Sequence, residues 1–323
     1  MADPTRRRLL LGLSALVAAG GAGELLRREL RQAEATVFGL RCAGYEEDLV
    51  GRVREGIAAF PAFQARIPGA RVVLKPNLVE VHADRPVNTD PRLILAVIEA
   101  FRKEGAKQVV VAEGPGHLRD TDAVLEASGL GRMLREQKVR YVDLNVDDAV
   151  ELVPVVGYTK LPKLPVARTI MQADLLVSMP KLKTHHWAGV TLSMKNLFGT
   201  VPGRVFGWPK NPLHWAGVDN SVAELWSSIR PAFTIVDGVV GMEGDGPIMG
   251  SAVPHGILLF GDHLPAVDAT ATRLMGLRPE KVRSLRLARV GGGTTSEWRI
   301  LRLGDQLPIH PYAVLPSWTQ LKA

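Results

Sequence analysis

Residues 180–199, PKLKTHHWAGVTLSMKNLFG, place three lysines and two histidines in a segment that otherwise reads as buried chain. Buried lysine is rare unless it is paired or functional. Lys181 and Lys183 are two residues apart, so on an extended chain both side chains point to the same side. Ammonium groups suit phosphate and carboxylate ligands. The segment therefore predicts that Lys181 and Lys183 bind an anion.

The second half of this segment, residues 187–199, is predicted to be helical. On a helix, Thr191 and Lys195 share one face, beside apolar neighbours. Lys195 then either runs along the apolar face or points into a cleft. We expect Lys195 and Asn196 to position the anion, with Lys195 also a catalytic candidate.

The adjacent His185 and His186 match no zinc spacing. A metal site that also includes His117 or His214 stays open, because folding could bring these rings together. An imidazole can also act as a general acid or base near neutral pH. We expect His185 to be the proton-transfer group.

Ionisable residues also follow the other apolar runs that are predicted to be strands. In parallel sheets, ligands bind beyond the carboxyl ends of the strands, so these groups are expected to share one site. Five apolar runs are followed in turn by Lys75 and Asn77, by Glu113 and His117, by Lys181 and Lys183, by Asp237, Glu243 and Asp245, and by Asp262. Ligand binding is predicted for Lys75, Asn77, Glu113, His117, Lys181, Lys183 and Asn196.

The acids after the fourth run suggest a second kind of chemistry. Carboxylate oxygens suit Mg²⁺ or Ca²⁺, so Asp237 with Glu243 or Asp245 is expected to bind a divalent cation or to act as a base. The glycine-rich stretch DGVVGMEGDGPIMG matches neither the calcium-loop pattern nor the P-loop pattern. The alternative is that the lysines and acids pair with each other as a buried structural network.

Apolar runs alternate with helical stretches along the chain. Residues 90–105 begin with Asp90 as a candidate cap and Pro91 in the first turn, and they end at Gly105. This alternation predicts an α/β fold with a mostly parallel sheet and helices on both faces, in one or two lobes. We expect the α/β domain to span residues 36–323. Residues 151–168 carry three prolines and are expected to be a β-hairpin or a lobe boundary.

The N-terminus has the plan of an export signal. Arg6, Arg7 and Arg8 precede an uncharged apolar run and small residues within residues 1–23. The paired arginines before leucines are typical of a twin-arginine signal. We expect export by the twin-arginine machinery, to the periplasm or to the outer side of the inner membrane. Residues 1–23 are either a cleaved signal or an anchor that contacts the membrane, and residues 24–35 are an amphipathic or linker segment.

Composition narrows the classes of ligand and partner. The 323 residues carry a formal charge of +7, and no nucleic-acid motif accompanies the scattered basic residues. The charge therefore indicates an anionic ligand or surface rather than nucleic acid. Cys42 is the one cysteine, so this chain cannot supply the four thiolates of an iron–sulfur cluster.

Four stretches resemble one known family. VVLKPNLV, VVVAEGPG, LVSMPKLKTHHWAGVTLSMKNLFGTVPG and IVDGVVGMEGDGP are similar to the family termed domain of unknown function 362, over roughly residues 70 to 270. The resemblance implies a bacterial or archaeal α/β protein with no assigned reaction. Some relatives carry an added ferredoxin-like domain with cysteine-bound clusters, and with one cysteine a cluster-based redox role is not expected here.

The sequence therefore predicts an exported α/β protein that binds a small anionic ligand, and transforms it if it is an enzyme, in a cleft lined by lysines and acids. Two alternatives stay open. One is a non-catalytic accessory or binding protein of the cell envelope. The other is a redox protein with an organic or flavin cofactor rather than a cluster.

Overall fold

The computed structural model describes residues 33–82, 84–116, 120–207 and 210–322. The predicted signal, most of the segment that follows it, and His117 lie outside these ranges.

Thirteen strands form in the described part of the chain. They are β1 (Ala35–Arg41), β2 (Arg71–Pro76), β3 (Gln108–Glu113), β4 (Arg140–Asp143), β5 (Ala149–Leu152), β6 (Leu164–Ala167), β7 (Leu175–Met179), β8 (Lys181–His185), β9 (Gly189–Thr191), β10 (Phe233–Glu243), β11 (Ser251–Val253), β12 (Ile257–Gly261) and β13 (Ile300–Gly304). Eleven of them belong to one sheet, whose main order is β13-β1-β12-β10-β7-β2-β3-β4. β8 and β11 pair with β10, and β9 pairs with β8.

The main sheet is mostly parallel, as predicted. The run from β10 through β7, β2 and β3 to β4 is parallel at every step. β12 is antiparallel to both of its neighbours, β1 and β10. The expectation that all five apolar runs end at one edge is therefore wrong for β12. Asp262, which follows β12, shares a cleft with Asp174 and Pro231, which precede β7 and β10.

Twelve α-helices connect these strands in the described residues. They are α1 (Leu49–Ala58), α2 (Pro61–Gln64), α3 (Pro91–Lys103), α4 (Thr121–Ala127), α5 (Leu130–Glu136), α6 (Arg168–Met171), α7 (Ser193–Asn196), α8 (Gly203–Phe206), α9 (Asn211–Trp215), α10 (Val218–Ile229), α11 (Leu264–Leu274) and α12 (Arg283–Ala288). Short 3-10 helices span Leu197–Thr200, Pro279–Lys281, Glu297–Arg299 and Pro316–Leu321.

The signals for α3 are confirmed. The Asp90 side chain accepts a hydrogen bond from the Arg92 N–H, and Pro91 occupies the first turn. Gly105 follows the helix with φ of 89°, a conformation that glycine adopts without strain. The local sequence therefore determines both ends of this helix.

The predicted helix over residues 187–199 is wrong in its first half. β8 and β9 form a hairpin there, with Lys183 opposite Thr191. Gly189 opens β9 with φ of 77°, so the chain turns where the apolar spacing suggested a helix. One helical turn, α7, follows the hairpin and carries Lys195 and Asn196.

Both faces of the sheet are covered, as predicted. Val72 and Leu74 of β2 pack with α1 and α3, whereas Val73 faces a second cluster that includes α6. Residues alternate between faces along a strand, so continuous apolar runs of this kind need cover on both sides. A third cluster joins β10 and β12 to α10 and α11.

The proline-rich segment 151–168 contributes to an antiparallel pair of strands. β5 and β6 pair from Ala149 and Ala167 to Leu152 and Leu164. Val166 and Ala167 are buried against Ala112 of β3. This agrees with the hairpin alternative, and the lobe boundary stays a prediction.

Candidate functional site

A cavity of about 370 Å³ lies where β2 and β3 end, beside the β8–β9 hairpin. Such a position beyond the carboxyl ends of parallel strands is the usual place for a ligand in an α/β sheet. The ionisable residues of its described lining are Lys75, Lys183, Lys195, Lys210, Glu80, Glu113, His185, His186 and His214. Lysines therefore outnumber carboxylates on these walls.

Lys75 and Glu113 form a buried ion pair at the end of β2 and β3. Lys75 Nζ lies 2.5 Å from Glu113 Oε2 and 3.1 Å from Asn196 Oδ1. Glu113 Oε1 also accepts the Gly114 N–H at 2.8 Å. Burial is the main cause that lowers the pKa of Lys75, and Glu113 opposes it. The charge of Glu113 is therefore already neutralised within the protein.

Asn196 links this pair to the neighbouring strand. Its side-chain N–H groups donate to the Lys75 carbonyl and to Ser178 Oγ, at 2.9 and 3.1 Å. Its oxygen accepts from Lys75 Nζ, so the amide holds β2, β7 and α7 together. Asn196 lines the cavity, but its polar side-chain atoms are already hydrogen-bonded to Lys75 and Ser178.

Lys183 is buried without a carboxylate partner among the described residues. Its ammonium donates to the carbonyls of Val87 and Pro247, at 2.7 and 3.2 Å. Carbonyl dipoles compensate a charge less well than a carboxylate does. Burial, followed by the nearby charges of Lys181 and Lys195, holds the pKa of Lys183 well below its usual range.

Lys195 and Lys210 complete the cationic wall. Lys195 Nζ lies 3.9 Å from the centre of the Phe198 ring, and burial is the main cause that lowers its pKa to about 7. Lys210 Nζ donates to the Gly114 carbonyl at 3.3 Å, and burial lowers its pKa to about 8. Neither lysine forms a salt bridge with a carboxylate of the described chain.

Asp268 of α11 fixes the turn that carries Lys195. Its two carboxylate oxygens accept the N–H groups of Ser193 and Met194, at 2.8 and 2.9 Å. These are unsatisfied donors of the first turn of α7, so a carboxylate there stabilises the helix start. Burial outweighs these bonds and raises the pKa of Asp268 to about 6.

Two buried polar atoms of the lining have no hydrogen-bond partner within the described protein. They are Asn77 Oδ1 and Thr191 Oγ1, and both residues line the cavity. Buried polar groups in proteins almost always have a partner, so each exception requires an explanation. A ligand that reaches both groups would supply one.

His185 lines the cavity as a neutral ring. Its Nδ1 accepts the N–H groups of Trp187 and Ala188, at 3.0 and 3.2 Å. The ring proton is therefore assigned to Nε2. Burial and the neighbouring Lys195 hold the pKa of His185 well below its usual range. Such a ring can donate a hydrogen bond from Nε2, and Nδ1 is occupied by the backbone.

Lys181 and Asp237 pair with each other, apart from the cavity. Lys181 Nζ lies 2.9 Å from Asp237 Oδ2, and Tyr45 donates its hydroxyl to Asp237 Oδ1 at 2.7 Å. The Asp90 N–H also donates to Asp237 Oδ2. The described cavity lining includes neither Lys181 nor Asp237. The sequence predicted that Lys181 and Asp237 share one site with the residues that follow the other strands. In the structure, both lie outside the described lining of the cavity.

The three acids expected to hold a divalent cation do not come together. Both oxygens of Asp237 are occupied by the contacts above. Glu243 accepts the Ala313 N–H, and Asp245 lies 3.5 Å from His186 Nδ1. No group of three or more histidine, cysteine or acidic side chains in the described ranges is arranged to hold a metal ion. The described residues therefore form no preformed site from these three carboxylates, and metal binding by them stays a prediction.

Two residues of these clusters were missed by the sequence reasoning. Lys210 lies directly before α9, with φ of 66° and no motif around it. Tyr45 precedes α1 and reaches Asp237 across 192 positions of sequence. The spacing of residues along the chain contains no signal for either contact.

Comparison with known proteins shows similarity to one protein sequence and a weaker likeness to solved structures. A thylakoid-associated protein of Synechocystis sp., sll1697, is 29% identical over 224 residues, which cover 67% of this chain and 66% of that protein. The lactate racemase apoprotein of Thermoanaerobacterium thermosaccharolyticum matches with a TM-score of 0.46 and 14% identity, over 76% of this chain and 58% of the other.

A protein from Thermotoga maritima matches with a TM-score of 0.40 and 12% identity, over 75% of this chain and 59% of the other. Both TM-scores are below 0.5, so neither likeness bears on function. The chain thus covers 66%, 58% and 59% of these three proteins, which is less than two thirds of each.

No helix in the described ranges is both long enough and apolar enough to cross a membrane. The family model for the domain of unknown function DUF362 matches residues 72–273, which is more than half of the chain and includes the cavity lysines. The protein therefore belongs to the DUF362 family.

Proposed function

We propose that this protein binds a small anionic molecule, with a carboxylate or phosphate group, in the lysine-lined cavity. One observation carries the proposal: Lys183, Lys195 and Lys210 line the cavity without a carboxylate partner among the described residues. Burying an ammonium group away from water is unfavourable unless an opposite charge compensates it. A bound anion supplies that charge.

The unpartnered atoms of Asn77 and Thr191 support the same proposal. The Thr191 hydroxyl can donate a hydrogen bond to a carboxylate or phosphate oxygen, and Asn77 Oδ1 can accept one from a ligand hydroxyl. His185 adds an Nε2–H donor. The cavity volume of about 370 Å³ is at the small end of the range for ligand pockets. The ligand is therefore a small molecule that carries both an anionic group and a hydroxyl or carbonyl group.

Binding is coupled to protonation. The pKa of Lys195 is lowered to about 7 and that of Lys210 to about 8, so part of the lysine wall is neutral at pH 8. An anion favours the charged ammonium form and raises both pKa values. The protein must then take up protons as the anion binds, and affinity must fall as the pH rises through 7 to 9.

Titration calorimetry with inorganic phosphate and with oxalate tests the proposal. Experiments in two buffers of different ionisation enthalpy should give different observed heats, because protons are taken up from the buffer. Lys183→Met and Lys210→Met should each weaken binding by at least about tenfold, as expected for a lost charge-assisted contact of about 1.5–3 kcal/mol. The exposed Lys107→Met is the matched control. Equal weakening by the control, or no binding by the unaltered protein, would contradict the proposal.

We also propose that the protein acts outside the cytoplasm, after export by the twin-arginine machinery. The support is the basic head and apolar run of residues 5–23. Replacing Arg6 and Arg7 with lysine should retain the protein in the cytoplasmic fraction, because lysine preserves charge but not the arginine pair. Unchanged export of that variant would contradict this second proposal.

A further inference from the structure

The amine of Lys195 differs from the other lysines of the cavity. Lys75, Lys183 and Lys210 each donate to a carboxylate or to a backbone carbonyl. Lys195 forms neither a hydrogen bond nor a salt bridge with the described residues. Its one described contact is the face of Phe198, 3.9 Å from Nζ to the ring centre.

A lysine in this position has the surroundings of a nucleophile. It lines a cavity, and α7 holds its backbone through Asp268 and Asn196. Its amine forms no hydrogen bond or salt bridge with the described residues around the cavity. Desolvation and neighbouring cations are the two means by which proteins activate a lysine amine.

We propose that Lys195 forms an imine with the carbonyl group of a small oxo acid, whose carboxylate is held by Lys183 and Lys210. The proposal rests on the anion-binding function and names its substrate class. Thr191 and His185 are placed to donate hydrogen bonds to the carbonyl or carboxylate oxygens. The Phe198 ring supports the Lys195 side chain.

The reaction is a condensation without oxidation or reduction. The lone pair of Lys195 Nζ attacks the carbonyl carbon, and the π electrons of the C=O bond move to oxygen, which takes a proton. The resulting carbinolamine loses its hydroxyl group as water, with a second proton, as the C=N bond forms. The ammonium form of Lys210 or solvent supplies protons, and the Lys195 nitrogen releases its own. Amine plus carbonyl therefore gives imine plus water.

The protonation state of Lys195 supports this role. Imine formation needs the neutral amine, and the pKa of Lys195 is lowered to about 7, first by burial and then by Lys210 and Lys75. The titratable groups that act on it are Lys75 of β2, Glu113 of β3, Lys183 and His185 of β8, and Lys210, which precedes α9. At pH 7 about half of Lys195 is neutral, against roughly one part in 10³ of an ordinary lysine.

Reductive trapping on the full-length protein tests the proposal. Glyoxylate, the smallest oxo acid, is added at pH 7 with cyanoborohydride, which reduces imines to stable amines. Peptide mass mapping then locates the modified lysine. We expect Lys195 to be modified at least about a hundredfold faster than the exposed Lys107, because of its larger neutral fraction. Oxalate, which has no reactive carbonyl, should protect Lys195 by competition.

The Lys195→Arg variant is the companion measurement, since arginine keeps a positive charge and cannot form the imine. In this variant the lysines that line the cavity should remain unmodified, while modification of Lys107 should be the same as in the unaltered protein. If the unaltered protein binds oxalate but glyoxylate modifies only exposed lysines, the imine proposal is wrong and anion binding stands. If it binds neither oxalate nor phosphate, both proposals are wrong. Peptide mapping of the unaltered protein decides the question even if the variant does not fold.

Discussion

Lys181 and Lys183 stand two residues apart on one strand, and both are almost completely buried. Lys181 has Asp237 at 2.9 Å, and Tyr45 completes a closed cluster around that carboxylate. Among the described residues, Lys183 reaches only two backbone carbonyls, and it faces the cavity. The difference shows that a buried lysine indicates a ligand only where the protein itself provides no opposite charge.

The same comparison separates the two carboxylates that follow parallel strands. Asp237 belongs to a cluster that stabilises the fold, and Glu113 belongs to the wall of the cavity. Glu113 is neutralised by one lysine, while three more lysines line the same space. The predictions below test this division between a structural region and a ligand-binding region.

The largest effect is expected for Asp237→Ala. The change leaves Lys181 buried without its counter-charge, which costs about 3–5 kcal/mol. Denaturant unfolding followed by circular dichroism measures the loss. Lys183→Met, two residues from Lys181 on β8, is the comparison variant, and it should cost less, about 1–3 kcal/mol, because only two described carbonyls lose a partner. Equal losses in the two variants would remove the distinction between the lysines.

A second effect concerns the carboxylate that holds α7. The pKa of Asp268 is raised to about 6 in the folded protein, against about 4 when unfolded, so the folded state binds the proton more tightly. Protonated Asp268 therefore contributes about 2–3 kcal/mol to the free energy of unfolding. This contribution is complete below pH 4 and is lost as the pH rises through 6. Asp268→Asn should remove this slope from unfolding free energies measured between pH 4 and 7.

The control for Asp268 is Asp120→Asn. Asp120 is an exposed cap that accepts the Ala123 N–H at the start of α4. This change removes one carboxylate at an exposed position and leaves Asp268 in place. An identical change of slope in both variants would show that burial of Asp268 is not the cause.

Gly199→Ala should disturb the Lys75–Glu113 pair. A Cβ at Gly199 would overlap the Glu113 carboxylate and lie 2.7 Å from Lys75 Nζ. Crowding of this kind costs about 1–3 kcal/mol, and here it also displaces an ion pair of the cavity wall. Thermal unfolding and oxalate binding measure the two consequences. At Gly44, which is not part of the described cavity lining, an added Cβ meets nothing within 4 Å, so Gly44→Ala should leave both unchanged.

The smallest effect is expected for Asp245→Asn. Asp245 is half exposed and lies 3.5 Å from His186 Nδ1, a surface contact that is an ion pair only when His186 is protonated. Such pairs contribute at most about 1 kcal/mol, so the free energy of unfolding should change by less than about 0.5 kcal/mol. Magnesium chloride should not raise the unfolding temperature in either protein. Stabilisation by magnesium that the variant loses would restore the metal-site prediction.

Much of the candidate site was predicted from local sequence. Lys75, Asn77, Glu113, Lys183, His185, Lys195 and Asn196 all line the cavity. Their positions follow from a simple rule, since the ends of neighbouring parallel strands meet at one edge. The rule fails at Asp262 because the pairing direction of β12 depends on its neighbours in space and not on its own sequence.

The sequence by itself determined the alternation of elements, the caps of α3, and the concentration of lysines beside apolar runs. These features depend on contacts within a few residues, which local composition specifies. Only the tertiary structure decided which lysine has a carboxylate partner. Asp237 is 56 residues from Lys181, Glu113 is 38 residues from Lys75, and Lys210 enters the cavity from an irregular segment. Charge compensation is a relation in space, and folding alone leaves Lys195 as the cavity amine with no hydrogen-bond or carboxylate partner in the described chain.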